Sequence, residues 1–229
     1  MSLHNLMTEF GVTKNSRHNY TQFYQKHLES YRDTATDVLE IGVDTGVSIE
    51  VWLRYFNKAH IYGMDITFSP IPAQRFASFE ADPRVTLFLG DQGKEEDLNK
   101  FIQENKSSYD IIIDDGGHTM LQQQITFANY FQYLKPGGMY VIEDLHTSYI
   151  SDPSRGWNYG CNETSVTTLD LMRHLESGLE VKDFGTEFIS VQKLNEIKSG
   201  IQWCKVEKHF DPSDNDPLNN SEMAFIFKK

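Results

Sequence analysis

VLEIGVDTG at residues 38–46, followed by Ile49, Trp52, Leu53 and Phe56 at helical spacing and then by HIYGMD at residues 60–65, reads as strand, glycine turn, helix, strand. The alternation continues outward from this unit. Strand-like runs recur at Val85–Leu89, Tyr109–Ile113 and Met139–Ile142. Leu98, Phe101 and Ile102 form one helical stripe between them. Leu121, Ile125, Ala128, Phe131 and Leu134 form another, closed by Pro136-Gly137-Gly138. Strands alternating with helices predict an α/β fold: a Rossmann-like, mostly parallel sheet with helices on both faces. Upstream, Tyr20, Phe23, Tyr24, His27, Leu28 and Tyr31 predict an amphipathic helix over Asn19–Arg32. Downstream, residues 151–164 read as a long loop, and Val166, Leu169, Met172 and Leu175 as a helix ending near Gly178. Ile201–Phe210 and Glu222–Phe227 read as a C-terminal antiparallel pair. One domain over residues 1–229 accommodates this pattern: a helical extension over 1–35, and a core over 36–229 with a lid near 150–165.

Composition narrows the partners. Asp and Glu number 33 against 21 Lys and Arg, a formal net charge of −12. That balance opposes a nucleic-acid or anionic-membrane partner. No apolar run approaches the ~18 residues that a membrane span needs. Cys161 and Cys204 are too few for a disulfide framework, and Met1–Glu9 lacks a basic region followed by an apolar run. A cytoplasmic protein that inserts in no membrane is the expectation, with a homo-oligomer left open.

The acids have positions as well as a number. Ligands of open parallel sheets bind outside the carboxyl ends of the strands. Glu40, Asp65, Asp91, Asp114, Asp115, Glu143 and Asp144 all fall at such ends. Seven carboxylates on one rim repel one another, and cationic ligands relieve them. The Gly42–Gly46 turn lets a ligand approach backbone N–H groups. Asp65, 19 residues after Gly46, stands where a carboxylate accepts ribose hydroxyls. A nucleoside ligand follows, and the acids disfavour the pyrophosphate of NAD, which leaves the sulfonium of S-adenosylmethionine. Asp114-Asp115-Gly116-Gly117-His118 and Glu143-Asp144-Leu145-His146 form a second constellation. Oxygen ligands from adjacent strand ends suit Mg²⁺ or another divalent cation. The plainer alternatives are Asp114 as a helix cap and Glu143-Asp144 as a loop acid pair. His146 is readable as facing the pocket or as a surface or helix-capping histidine, and Tyr149, Trp157 and Tyr159 as stacking on a sugar or as packing against the domain.

The two acidic motifs, the second within LKPGGMYVIEDLHTSY at residues 134–149, resemble those of metal-dependent class I sugar O-methyltransferases of macrolide biosynthesis, the mycinamicin type. Leu39–Val43, Tyr55-Phe56, Ile61–Ile66, Gly90-Asp91-Gln92 and Tyr20, Thr21 and Tyr24 extend the likeness over about residues 14–150. The resemblance implies a class I methyltransferase sheet. It implies S-adenosylmethionine against Glu40, Gly42, Gly46, Asp65, Asp91 and Gln92, with Asp114 near the methionine end. It implies Mg²⁺ on Asp115, Glu143 and Asp144, and His118 as general base. The acceptor would be a sugar, nucleotide-sugar or glycan hydroxyl. A catechol-like or other small diol is the alternative acceptor, and a catalytically silent cofactor-binding protein the alternative role. Asp44 stands where the family turn often has glycine.

Overall fold

The structure, a computed structural model, describes residues 1–16, 18–149, 151–152, 157–181, 184–209 and 221–229. Among these, nine strands follow in chain order: β1 (Asp37–Ile41), β2 (His60–Asp65), β3 (Val85–Leu89), β4 (Tyr109–Asp114), β5 (Leu134–Ile142), β6 (Ser151–Asp152), β7 (Trp157–Asn158), β8 (Ile201–His209) and β9 (Ser221–Lys228). The helices are α1 (Leu3–Phe10), α2 (Thr13–Ser16), α3 (Thr21–Leu28), α4 (Val47–Tyr55), α5 (Ala73–Ala81), α6 (Glu95–Glu104), α7 (Met120–Tyr130), α8 (Thr168–Ser177) and α9 (Val191–Gly200).

Seven strands make one sheet in the order β3-β2-β1-β4-β5-β9-β8. The first five are parallel, and β9 and β8 add antiparallel at one side. The period of two along each strand divides the core. Leu39, Ile41, Ile112, Tyr140 and Ile142 face α6, α7, α8 and α9. Val38, Ile61, Ile111, Ile113 and Val141 face α1, α3, α4 and α5. Sheet strands buried on both sides explain the nearly unbroken apolar runs from which they were read. The order reverses between β1 and β4, and that switch point opens the crevice where ligands of such sheets bind.

Two expectations need correction. Leu134 does not extend the α7 stripe. A 3₁₀ turn at Phe131–Tyr133 ends the helix, and Leu134 already pairs with Tyr109 as the start of β5. The buried face of α7 also differs from its apolar stripe. Leu121 is 39% exposed, whereas Gln123, Gln124 and Thr126 are buried. The glutamines face inward because each finds a carbonyl there: Gln123 Nε2 donates to Glu143 O at 2.9 Å and Gln124 Nε2 to Val166 O at 3.0 Å. In the 150–165 lid segment, residues 150 and 153–156 lie outside the described residues, and β6 pairs with β7 around them. α1, α2 and α9 add regular structure where no periodicity was read.

Candidate active site

The first turn is built by exclusion. Gly42 has φ +88°, and a Cβ there would run into the backbone of Asp115, so the β1 and β4 ends close up only around glycine. Asp65, at the end of β2, then fixes the turn. Its Oδ2 accepts from the N–H groups of Val43 at 2.6 Å and Asp44 at 3.0 Å. Asp44 adopts φ +45°, the left-handed conformation that a family glycine would supply. Between this turn and the β3 end lies a cleft of about 370 Å³, lined by Gly42, Asp65, Asp91, Gln92 and Asp115 among others. Asp91 caps its own turn by accepting from Gly93 N–H at 2.9 Å.

Three of the expected nucleoside-site residues are not on the lining. Glu40 is fully buried, with Ser48 Oγ donating to it at 2.7 Å and Trp52 Nε1 at 3.0 Å. It anchors α4 from beneath the turn. Gly46 takes the left-handed N-cap position of α4. Asp114 is buried behind Gln92, whose Nε2 donates to Asp114 Oδ1 at 2.9 Å and whose Oε1 accepts from Gly117 N–H at 2.8 Å. Burial pushes the Asp114 carboxyl up to about 7 despite that bond.

Beside the cleft stand Asp115, His118 and Asp144, whose ligand atoms all lie within 4.8 Å of one another. His118 Nε2 is 3.5 Å from Asp144 Oδ2 and 3.9 Å from Asp115 Oδ1. Tyr20 Oη donates to Asp144 Oδ1 at 2.8 Å. Burial opposes ionisation of Asp144, but the imidazoles of His118, His146 and His18 hold it down at about 2. Thr147 Oγ1 is within hydrogen-bond reach of two carbonyls, His118 O at 3.0 Å and Asp144 O at 2.9 Å, which ties the two loops together. Two carboxylates partly open to solvent suit a divalent cation, with the His118 imidazole beside them. A partnerless, buried His118 Nδ1 leaves the ring's orientation to its surroundings.

Glu143 is placed differently from Asp115 and Asp144. It is 1% exposed and accepts from Tyr24 Oη and, at 2.6 Å, from Lys14 Nζ. Lys14, from α2, also donates to Asp115 Oδ2 and lies 3.6 Å from Glu40 Oε1. Burial opposes its charge, but Asp115, Glu143 and Glu40 together keep the ammonium protonated well above the ordinary range. Burial, with Asp115, drives Glu143 up, and Lys14 offsets part of that rise. Nothing in the N-terminal sequence marked Lys14. A single lysine in a polar stretch, 101 residues from one partner and 129 from the other, carries no periodic signal.

Residues 39–145 match a family described as a methyltransferase domain. The chain is 36% identical over 186 residues to the 8-demethyl-8-alpha-L-rhamnosyl tetracenomycin-C 2'-O-methyltransferase of Streptomyces olivaceus, spanning 78% of this chain and 46% of that protein. It is 32% identical over 177 residues to the mycinamicin VI 2''-O-methyltransferase of Micromonospora griseorubida, spanning 74% and 42%. The chain thus spans about half the length of the curated relatives it matches. A solved structure titled MycE methyltransferase from the mycinamycin biosynthetic pathway, in complex with Mg and SAH, superposes with a TM-score of 0.70 at 26% identity, over 100% of this chain and 55% of that one.

Proposed function

We propose that the chain, whose residues 39–145 match a methyltransferase domain, moves a methyl group from S-adenosylmethionine to a sugar hydroxyl with the help of a divalent cation. One observation carries the reading: the Gly42–Asp65 cleft opens onto Asp115, which also belongs to the group around His118 and Asp144. Donor site and acceptor chemistry therefore share a wall.

Gly42, Asp65, Asp91 and Gln92 would contact the donor. Glu40, Gly46 and Asp114 would support that wall from behind. Asp115 and Asp144 would hold Mg²⁺ or a similar cation, with Glu143 joining them. Once bound, the cation supplies positive charge that makes a nearby hydroxyl more acidic. His118 takes the hydroxyl proton at Nε2, and the Asp144 carboxylate 3.5 Å away stabilises the imidazolium that results. Loss of that proton makes the acceptor oxygen nucleophilic toward the donor methyl, and orientation within the shared wall supplies the alignment.

The acceptor class rests on likeness to relatives named for rhamnosyl tetracenomycin-C and mycinamicin VI. A glycosylated small molecule is accordingly the expected partner. The test incubates the protein with S-adenosylmethionine, Mg²⁺ and, in parallel, a rhamnosylated aglycone, a nucleotide-linked deoxysugar and a catechol, read by mass spectrometry. Methylation of a sugar, abolished by EDTA, is expected. Methylation of the catechol alone would overturn the acceptor class. Failure of S-adenosylmethionine to bind by calorimetry would overturn the activity.

A further inference from the structure

The carboxylates expected to gather around a metal ion are Asp115, Glu143 and Asp144, yet the ligand atoms that meet are those of Asp115, His118 and Asp144. Lys14 lies on the Asp115–Glu143 side of this group. Its ammonium, on a side chain only 5% exposed, sits on one oxygen of Asp115 and on Glu143 Oε1. An ammonium and a divalent cation at the same carboxylate oxygens exclude each other by contact and by charge. We infer that Lys14 is a tethered competitor for the cation: it occupies the Asp115–Glu143 side of the site, and metal binding there displaces it.

Lys14 is well placed to act this way. α2 hangs between α1 and α3. Val12 N–H donates to Met7 O at 3.0 Å and Tyr20 N–H to Lys14 O at 2.8 Å, so the lysine is held near the site when its side chain leaves. Gly11, Val12 and Lys14 also line the donor cleft, and Lys14 is the one cationic side chain among the described lining residues. Displacement of Lys14 therefore loosens one wall of that cleft. Lys14 acts through Asp115 and Glu143 and is a positioning residue. The inference rests on the metal reading given above.

The test uses Mn²⁺ alone as the probe, titrated calorimetrically into wild-type protein, Lys14→Gln and Lys14→Arg. Lys14→Gln should bind about fivefold or more tightly, at the lower end of typical coupling factors. Lys14→Arg, which keeps the charge, should bind no more tightly than wild type. Hydrogen exchange on the wild-type protein needs no variant to fold: Mn²⁺ should speed amide exchange across residues 12–16. Equal or weaker binding by Lys14→Gln overturns the inference and leaves the metal reading standing. Slowed or unchanged exchange at residues 12–16 does the same. No Mn²⁺ binding by wild type or Lys14→Gln overturns both.

Discussion

Asp44, His118 and Asp144 share a backbone conformation that L-residues rarely adopt, with φ of +45°, +56° and +55°. Such positions cost on the order of 1 kcal/mol or more each and concentrate where side-chain direction matters. They also dictate how a residue is best replaced. His118→Asn keeps a side chain that tolerates left-handed backbone but removes the proposed base. Its kcat should fall by roughly 10²–10⁴, while calorimetry finds the affinity for S-adenosylmethionine little changed; near-normal turnover would remove His118 from proton transfer. Asp114 yields a pH signature. Its carboxyl is raised to about 7 by burial, so the folded state holds a proton that the unfolded chain gives up near 4. Stability is then lost as pH rises from about 4 to 7. Asp114→Asn keeps an acceptor for Gln92 and removes that loss. Stability without divalent cations should match wild type near pH 4 and be higher near pH 8, by about 4 kcal/mol. Equal curves at both pH values would count against a protonated Asp114. At this scale the acids were legible because strand ends announce themselves in sequence. Lys14 was not, because only the folded chain brings it to Asp115.

At the scale of elements, legibility followed the kind of signal each one carries. β1 to β4 are short apolar runs between turns, and their starts were read to within a residue. α7 was found but its face was not, because hydrophobic period is a poor guide where carbonyls await amides. Gln123 is fully buried and serves Glu143 O, at the base of the second acidic motif. Gln123→Leu should destabilise the protein by about 1–3 kcal/mol, the cost of stranding a buried carbonyl, measured by urea denaturation. A neutral result would mean that the backbone relaxes to find another donor. The start of β5 was missed for a related reason: Leu134 satisfies a helical spacing, but the 3₁₀ turn at Phe131–Tyr133 redirects the chain before it.

For the molecule as a whole, the net charge of −12 is unevenly spread. Seven of the 33 acids lie at the carboxyl ends of β1 to β5. Some are answered internally, Glu143 by Lys14 and Asp144 by a hydrogen bond from Tyr20 Oη. The remaining demand for positive charge should appear as ligand-linked stability. Mg²⁺ at one hundred times its dissociation constant should add about 2.7 kcal/mol, a rise in Tm of roughly 5–10 °C for a chain of this size. NaCl at equal ionic strength should not reproduce it, and EDTA should reverse it. A Tm indifferent to Mg²⁺ would mean that the rim is satisfied without metal. Among the described residues no helix is long and apolar enough to cross a membrane, in keeping with the absence of a long apolar run.

The hydroxyl of Thr147, in reach of both His118 O and Asp144 O, has a consequence for anyone mapping this protein by variation. A saturation screen scored on turnover should flag position 147 as sharply as His118 and Asp144 beside it, though its side chain bonds to main chain alone. Thr147→Ser should survive such a screen and Thr147→Val should fail it. A map of intolerant positions would then overstate the chemistry by one residue, and only the serine rescue would show the error.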